Sequence, residues 1–347
     1  MLSFGVFDHL DRRPGVAIGD VYEDRLRLIE RYDSAGFHCW HLAEHHATPL
    51  GLAPSPAVFL AAAAQRTRRI RLGAMVFCLP MYEPLRLVEE ICMLDHLSGG
   101  RLDIGIGRGV SPYEVAAFDI DPADAQAMYM EAFGIVMAGL RDGRVDHEGR
   151  HYTYRGVPLH VAPLQRPHPP LWYGVGTPDG AGWPAGNAIN VICNAPCPVA
   201  RSATDQYRKV WAGTHGTAPL PRLGIARHIY IGATDAEAEA RAADAWGQWY
   251  DSFDWLWQRN GTSPGVYARD FATARARDQL IAGAPDTVAT EVARQVTAAG
   301  VNYFVCRFAF GDLGFAESAR SLARFVEQVM PRVRALASSA PFPKSSS

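Results

Sequence analysis

The chain has 347 residues, 48% of them hydrophobic and 20% charged, which is the balance of an ordinary globular protein and excludes long-range disorder. Its formal net charge of −2 argues against a nucleic-acid partner, which usually requires a basic face. The longest apolar stretch, residues 52–64, is interrupted by Pro54, Ser55 and Pro56 and is too short to span a bilayer, so we expect no membrane segment.

The cysteines and the N-terminus indicate a reducing compartment. Six cysteines are spaced irregularly and fall mostly in apolar runs, which predicts buried free thiols and no disulfide framework. The first residues lack the basic region and the following apolar run of a secretory signal. We therefore expect a cytoplasmic protein.

Short apolar runs alternate with helical patterns along the chain, which is typical of βαβ units and a parallel sheet. These runs are continuously apolar, as expected for strands that are buried on both faces. The eight predicted strands are Leu2–Phe7, Phe37–Leu42, Ile70–Cys78, Leu102–Ile106, Leu171–Val175, Ala188–Cys193, Leu223–Gly232 and Val301–Phe308.

Helices are predicted between these strands. Asp20 and Glu23 have the spacing of a capping box for the first helix, and Gly36 is expected to end it. The other predicted helices cover approximately Ala57–Thr67, Pro84–Ser98, Pro122–Leu140, Asp235–Trp257, Pro285–Ala299 and Phe315–Val333.

The number of βα units predicts the architecture. Eight units in about 300 residues fit a (β/α)8 TIM barrel, with an open, doubly wound sheet as the competing possibility. We expect residues 1–335 to form this single domain, with loop insertions at about 141–169 and 246–283. The first insertion is predicted to be a hairpin, with alternation at His151–Tyr154 and Leu159–Ala162, and residues 336–347 are expected to be a disordered tail.

A cluster of titratable residues follows the second strand. His41, Glu44 and His45 form an H-x-x-E-H pattern that some zinc hydrolases carry on a helix. A helix is disfavoured here, because the segment continues a strand and runs into Pro49. Since active sites of α/β barrels lie where strands end, the pattern favours an acid/base group at the barrel mouth.

Two strand ends could hold an anion. After the fourth strand, Arg108 lies between Gly107 and Gly109, where its guanidinium could bind a phosphate. After the fifth strand, the small residues of the turn Gly176–Gly180 would expose backbone N–H groups. Lys209 and Lys344 are the only lysines, so arginine is the cation left for this task.

An ordered set of motifs closely resembles the bacterial luciferase-like family of flavin-dependent monooxygenases, and the resemblance covers nearly the whole chain. The motifs are Ala35-Gly36-Phe37, then Trp40 with Glu44-His45-His46, Leu72-Gly73 with Leu79-Pro80, the segment from Leu94 to Leu102, and Gly105-Ile106-Gly107-Arg108-Gly109.

The resemblance implies a barrel that binds FMN at the carboxyl ends of its strands. It makes His45 the acid/base residue, with His46 and Glu44 orienting His45 or the flavin. Gly107 stands where some relatives carry a cysteine, so the resemblance assigns no thiol role to this chain.

The same resemblance implies the groups that hold the cofactor. Arg108 would bind the FMN phosphate beside Gly107, and a cis peptide bond between Met75 and Val76 would support the isoalloxazine ring. The other implied or candidate contacts are the phosphate-binding turn residues Gly176, Thr177 and Gly180 and the pocket walls Phe7 and Tyr113.

The implied activity is that of a monooxygenase. FMN would be reduced by a separate NAD(P)H-dependent reductase, and a C4a-peroxyflavin would oxidise a small apolar or carbonyl substrate in what we expect to be a homodimer or higher homo-oligomer. The alternatives are an F420-dependent hydride transferase, a non-catalytic flavin-binding or partner subunit, and a metal hydrolase built on His41, Glu44 and His45.

Overall fold

Parallel strands close into a barrel in the computed structural model, which describes residues 2–339. The barrel strands pair in the order β1-β2-β3-β4-β7-β8-β9-β11 and then back to β1. In chain order the strands are β1 (Ser3–Asp8), β2 (Cys39–Leu42), β3 (Arg71–Cys78), β4 (Leu102–Gly107), β5 (Arg144–Glu148), β6 (Thr153–Pro158), β7 (Leu171–Gly174), β8 (Asn190–Cys193), β9 (Leu223–Ile231), β10 (Leu280–Gly283) and β11 (Tyr303–Arg307).

Helices follow the barrel strands and cover the outside of the barrel. They are α1 (Ile18–Ala35), α2 (Pro56–Arg66), α3 (Pro84–Leu97), α4 (Pro112–Ala116), α5 (Ala125–Asp142), α6 (Gly182–Gly186), α7 (Cys197–His215), α8 (Asp235–Arg259), α9 (Phe271–Ala276), α10 (Pro285–Ala299), α11 (Phe315–Arg324) and α12 (Met330–Ser339). Within residues 2–339, none of these helices combines the length and the apolar character needed to cross a bilayer.

The predicted (β/α)8 barrel is confirmed, and each of the eight predicted strands forms part of its wall. The competing open sheet is wrong, because Val191 and Cys193 of β8 pair with Leu223 and Ile225 of β9 and so close the ring. The capping box at Asp20 is also wrong. The helix α1 begins at Ile18, so Asp20 lies inside its first turn, where a carboxylate still favours the positive end of the helix dipole.

The two insertions differ from their predicted form. The first contains the expected antiparallel hairpin, but its strands are β5 and β6, so the turn falls at residues 149–152. The second begins as a continuation of α8 to Arg259 and ends in a strand that was not predicted, β10, which pairs with the end of β9. The helix α12 covers residues 336–339 of the predicted tail, and residues 340–347 lie outside the described part of the chain.

The inside of the barrel holds a buried layer of polar side chains. The indole Nε1–H of Trp172 donates to Asp103 at 2.7 Å, and the same carboxylate pairs with Arg71 at 2.6 Å. The Nε2 atom of His41 lies 3.0 Å from the Tyr303 hydroxyl. These hydrogen bonds stabilise the fold, because a buried polar group without a partner costs free energy.

The strand β3 bulges towards β4, and glycines of β4 make room for it. The pairing register shifts between Ala74 and Phe77. A Cβ atom on Gly105 would overlap the carbonyl oxygen of Ala74 and lie 3.0 Å from Cα of Met75, and one on Gly107 would lie 2.5 Å from a methyl group of Val76. Gly105 and Gly107 of the G-x-G-R-G motif are therefore needed for packing between the two strands.

We predict that Gly105→Ala lowers the free energy of unfolding by about 1–3 kcal/mol, because the backbone of β3 must move. Gly134→Ala is the matched control: its Cβ would meet nothing within 4 Å, and helix α5 should gain up to about 1 kcal/mol. Urea unfolding of the two variants and the wild type measures both effects. Equal midpoints for Gly105→Ala and the wild type would contradict this account.

Candidate active site

A cavity of about 830 Å³ opens at the carboxyl ends of the barrel strands. A cavity of this size suits a cofactor or a drug-sized ligand, which usually occupies about 300–1,000 Å³. The ends of every barrel strand except β9 contribute to its walls. The lining residues include Phe7 of β1, His45 after β2, Arg108 after β4 and Arg307 of β11.

The bulge of β3 forms an apolar part of the wall. The peptide bond between Met75 and Val76 is cis, as the sequence resemblance implied, and both side chains line the cavity. Phe7 and Ile106 extend this apolar surface. The wall therefore offers a surface on which a flat aromatic ring can pack.

His45 has a carboxylate partner that the sequence did not reveal. Its Nδ1–H donates to Oε1 of Glu114 at 3.1 Å, and the backbone N–H of His46 donates to the other oxygen, Oε2, at 2.9 Å. Only 13% of the His45 side chain and 7% of the Glu114 side chain are exposed. Because Glu114 takes Nδ1, Nε2 is the ring nitrogen left free, and it has no hydrogen-bond partner among residues 2–339.

Glu44 contacts His46 and not His45. Its Oε1 accepts from Nε2 of His46 at 2.9 Å, and its Oε2 accepts from the Tyr82 hydroxyl at 2.8 Å and from the Cys78 N–H at 3.2 Å. Burial, and next the charge of Glu44, raises the pKa of the Cys78 thiol well above its usual value. Glu44 therefore joins β2 to the end of β3, while His46 packs against Phe118 outside the cavity lining.

Arg108 lies exposed at the rim of the cavity, and among residues 2–339 its guanidinium forms a single hydrogen bond, 3.5 Å long, to the neighbouring Gly109 carbonyl. Its guanidinium is therefore available to a ligand. The turn after β7 stands further away. Gly176, Thr177 and Gly180 do not line the cavity, and the Gly180 N–H donates to the Thr177 hydroxyl at 3.4 Å.

The two predicted pocket walls have different positions. Phe7 lines the cavity. Tyr113 does not, since its hydroxyl bonds to that of Thr262 at 2.7 Å and its ring packs edge-on against Trp257, which is the lining residue. The structure thus places Tyr113 one layer behind the wall.

The histidine pattern after β2 does not assemble into a metal site. His41 is buried in the barrel interior beside Tyr303, and burial lowers its pKa to about 3. Its position in β2 separates it from His45, which faces the cavity. In the described part of the chain, no three His, Cys, Asp or Glu side chains are grouped as a metal would require.

Several lining residues were not predicted from the sequence. His9, Asn194 and Arg307 follow or end strands, so their position at strand ends was a usable signal. No local sequence pattern identifies Glu114 as a site residue, because its partner His45 lies 69 residues away in the chain. From the second insertion, Phe253, Trp257 and Tyr267 reach the cavity, whereas no residue of the hairpin insertion does.

Comparisons with known proteins find similar chains over nearly the whole length. The family model described as luciferase-like monooxygenase matches residues 2–303. The uncharacterized protein y4wF of Sinorhizobium fredii is 40% identical over 334 residues, covering 96% of this chain and 97% of that protein. The oxygenase component of the flavin-dependent trigonelline monooxygenase of Acinetobacter baylyi is 24% identical, with 95% of both chains covered.

Solved structures share the fold. Monooxygenase RslO1 from Streptomyces bottropensis matches with a TM-score of 0.86 and 27% identity, covering 95% of this chain and 99% of that one. The oxygenating constituent of 3,6-diketocamphane monooxygenase from Pseudomonas putida, a type II Baeyer-Villiger enzyme in complex with FMN, matches with a TM-score of 0.80 and 19% identity over 99% of both chains. At that identity the second likeness concerns the fold alone.

We predict a structural role for Glu44. Glu44→Ala leaves the Cys78 N–H and the Tyr82 hydroxyl without their acceptor, which should lower the free energy of unfolding by about 1–3 kcal/mol. Glu148→Ala, at an exposed position at the end of β5, is the control and should change little. Urea unfolding measures both, and an unchanged midpoint for Glu44→Ala would refute the structural role.

Proposed function

The chain belongs to the luciferase-like monooxygenase family, whose model matches residues 2–303, and we propose that it is an FMN-dependent monooxygenase that uses reduced flavin and O2 to oxidise a small apolar or carbonyl substrate. Relatives named as monooxygenases support an oxidoreductase activity in general. The observation that carries the finer proposal is a histidine in an enclosed cavity, His45, with a carboxylate on one ring nitrogen and the other nitrogen free.

The cavity fits FMN in size and in chemistry. FMN combines a flat, largely apolar ring with an anionic phosphate, and the cavity combines the apolar surface of Met75, Val76 and Phe7 with the exposed guanidinium of Arg108. Arg108 would hold the phosphate through charge-assisted hydrogen bonds next to Gly107. Gly176 and the other two turn residues, which follow β7 beside β4, remain in the proposal as backbone donors to the same phosphate.

In this proposal the chain positions the reactants, excludes water from the site and transfers a proton. Bound FMN in its reduced form supplies the electrons that activate O2. Glu114 fixes the ring of His45 through Nδ1, so that Nε2 can give or take a proton at the reacting atoms. Glu44 and His46 act as positioning residues, because they join the segment of His45 to the end of β3.

The proposal also covers partners and location. A separate NAD(P)H-dependent reductase would supply reduced FMN, and the name of one relative as an oxygenase component supports this division. Exposed apolar side chains on the adjoining helices α2 and α3, among them Val58 and Met93, support a homodimer or a higher homo-oligomer, which light scattering can measure. A reducing, cytoplasmic setting agrees with the six cysteines, all of which are buried free thiols.

Oxygen consumption with FMN and an NAD(P)H-dependent reductase tests the function. A panel of aldehydes, ketones and alkanes, each with and without a carboxylate group, should contain a compound that accelerates oxygen uptake and gains one labelled atom from ¹⁸O2. Turnover that requires F420 and consumes no oxygen would favour the hydride transferase instead. FMN binding without turnover by either cofactor over the whole panel would favour the non-catalytic flavin-binding subunit.

We predict that His45→Ala lowers the rate of substrate oxidation by roughly 10²–10⁴-fold, as is typical for the loss of a general acid or base. FMN binding should stay within a few-fold of the wild type. His147→Ala is the matched control, because His147 also pairs with a glutamate, Glu131, at 3.0 Å, but on the hairpin outside the cavity. If both variants keep full activity, His45 has no role in proton transfer.

We predict that Arg108→Ala weakens FMN binding by about 1.5–3 kcal/mol, roughly tenfold to a hundredfold, through the loss of a charge-assisted hydrogen bond. Riboflavin, which has no phosphate, should bind the variant and the wild type equally. Fluorescence titration with the two flavins measures the difference, with the exposed Arg86→Ala as a control. An equal loss for both flavins would remove Arg108 from the phosphate site.

A further inference from the structure

A second arginine of the cavity, Arg307, is buried and lacks a counter-charge. It is the last residue of β11, lines the cavity and is 2% exposed. Its Nη1 donates to the Tyr267 hydroxyl at 3.2 Å, and its Nη2 donates to Oδ1 of Asn194 at 3.1 Å. Among residues 2–339 no carboxylate oxygen lies within 4.0 Å of the guanidinium, and its Nε–H has no hydrogen-bond partner.

Two other buried arginines of the described chain have partners that Arg307 lacks. Arg25 forms ion pairs with Asp8 at 3.1 Å and with Asp11 at 3.2 Å. Arg227, one strand away in β9, also has no carboxylate within 4.0 Å among residues 2–339, but its Nε donates to Gln295 at 2.7 Å and both of its Nη atoms donate to backbone carbonyls. Arg307 has two neutral acceptors and the face of the Phe7 ring, 4.6 Å from the centre of its guanidinium. Such contacts partly stabilise the buried guanidinium, but they do not provide a negative charge to neutralise it.

The groups around Arg307 do not supply the missing charge. Burial, and next the charge of Arg307, lowers the pKa of His9 and of His228 well below the usual value, so both rings are neutral. The two glutamates that line the cavity are engaged elsewhere, since Glu114 pairs with His45 and Glu44 pairs with His46. The charge of Arg307 is thus available to an anion that enters the cavity.

The topology separates this charge from the proposed phosphate site. Arg108 follows β4 and Arg307 ends β11, and four pairing steps lead from β4 to β11 in either direction around the barrel. The two arginines therefore stand on opposite walls of the same cavity, one exposed at the rim and the other buried. A phosphate held at Arg108 cannot also neutralise Arg307.

We propose that Arg307 binds a carboxylate group of the substrate, so that the substrate class is a small carboxylic acid with an apolar or aromatic body. The planar guanidinium matches a carboxylate, which can accept two parallel hydrogen bonds from it. Phe253, Trp257 and Tyr267 line the cavity and offer aromatic contacts to the body of such a molecule. This inference rests on the proposed function, because it assigns the substrate of that site.

Binding of matched probes tests the assignment. Benzoate and nicotinate carry the carboxylate, and benzamide and nicotinamide replace it with a neutral amide of similar shape. Calorimetric titration of the FMN-loaded protein and of the FMN-free protein with each probe gives the dissociation constants. We expect each acid to bind the wild type at least tenfold more tightly than its amide, and Arg307→Met to abolish this preference without changing amide binding.

Two further variants separate charge from structure. Arg307→Lys keeps a cation and should retain part of the preference for the acid. Arg227→Met removes a buried arginine from β9 that does not line the cavity, and it should leave the preference intact. Should Arg307→Met fail to fold, the acid-to-amide ratios of the wild type and of Arg307→Lys still decide the question.

The outcomes that overturn the inference are specific. Equal affinities of acid and amide for the wild type, or an unchanged acid preference in Arg307→Met, would remove the carboxylate from this site. A loss of FMN affinity in Arg307→Met, with the acid preference unaltered, would assign Arg307 to the flavin. If FMN does not bind at all but benzoate still requires Arg307, the proposed function fails while the carboxylate site stands.

Discussion

The closure of the parallel sheet by the pairing of β8 with β9 is the constraint on which the site depends. All eight barrel strands are parallel, so closure brings their carboxyl ends around one opening. Residues as distant in the chain as Phe7, Arg108 and Arg307 thereby line one cavity. An open sheet would place the ends of β8 and β9 at separate edges of the molecule, and the cavity would lose its enclosing wall.

Closure of the barrel does not by itself determine the shape of the cavity wall. The shape also depends on how β3 packs against β4. Gly105 and Gly107 leave space that the bulge of β3 occupies, which turns Met75 and Val76 towards the cavity. Next to them, Glu44 accepts a hydrogen bond from the backbone of Cys78 and so fixes the end of β3 to the segment that carries His45. One glycine-containing strand and one buried carboxylate thus determine where the apolar surface and the histidine meet.

The sequence predicts most of the fold, because buried parallel strands are continuous apolar runs and helices intervene between them. The sequence does not predict β10, whose four residues follow a short helix and, in the described chain, pair only with the end of β9. It also misplaces the turn of the hairpin, because the alternating residues there suggest different strand bounds. Site residues next to strand ends, such as His45 and Arg108, are readable from local pattern. The pairing of Glu114 with His45 is not, because it depends on where the loop after β4 returns in space.

Three histidines lie at or near the cavity in different surroundings: His9 and His45 line it, whereas His228, in β9, does not. His9 and His228 are 8% and 0% exposed, and no carboxylate lies within 4.0 Å of either ring in the described chain. Burial and the charge of Arg307 keep both neutral, since a proton on either ring would add a second uncompensated cation to a desolvated region. His45, whose ring centre is 5.6 Å from that of His9, has Glu114 beside it, so a positive charge on its ring has a counter-charge in place. In the proposed function, proton transfer is therefore assigned to His45, which has a carboxylate beside it, and not to the two histidines that burial and the charge of Arg307 keep neutral.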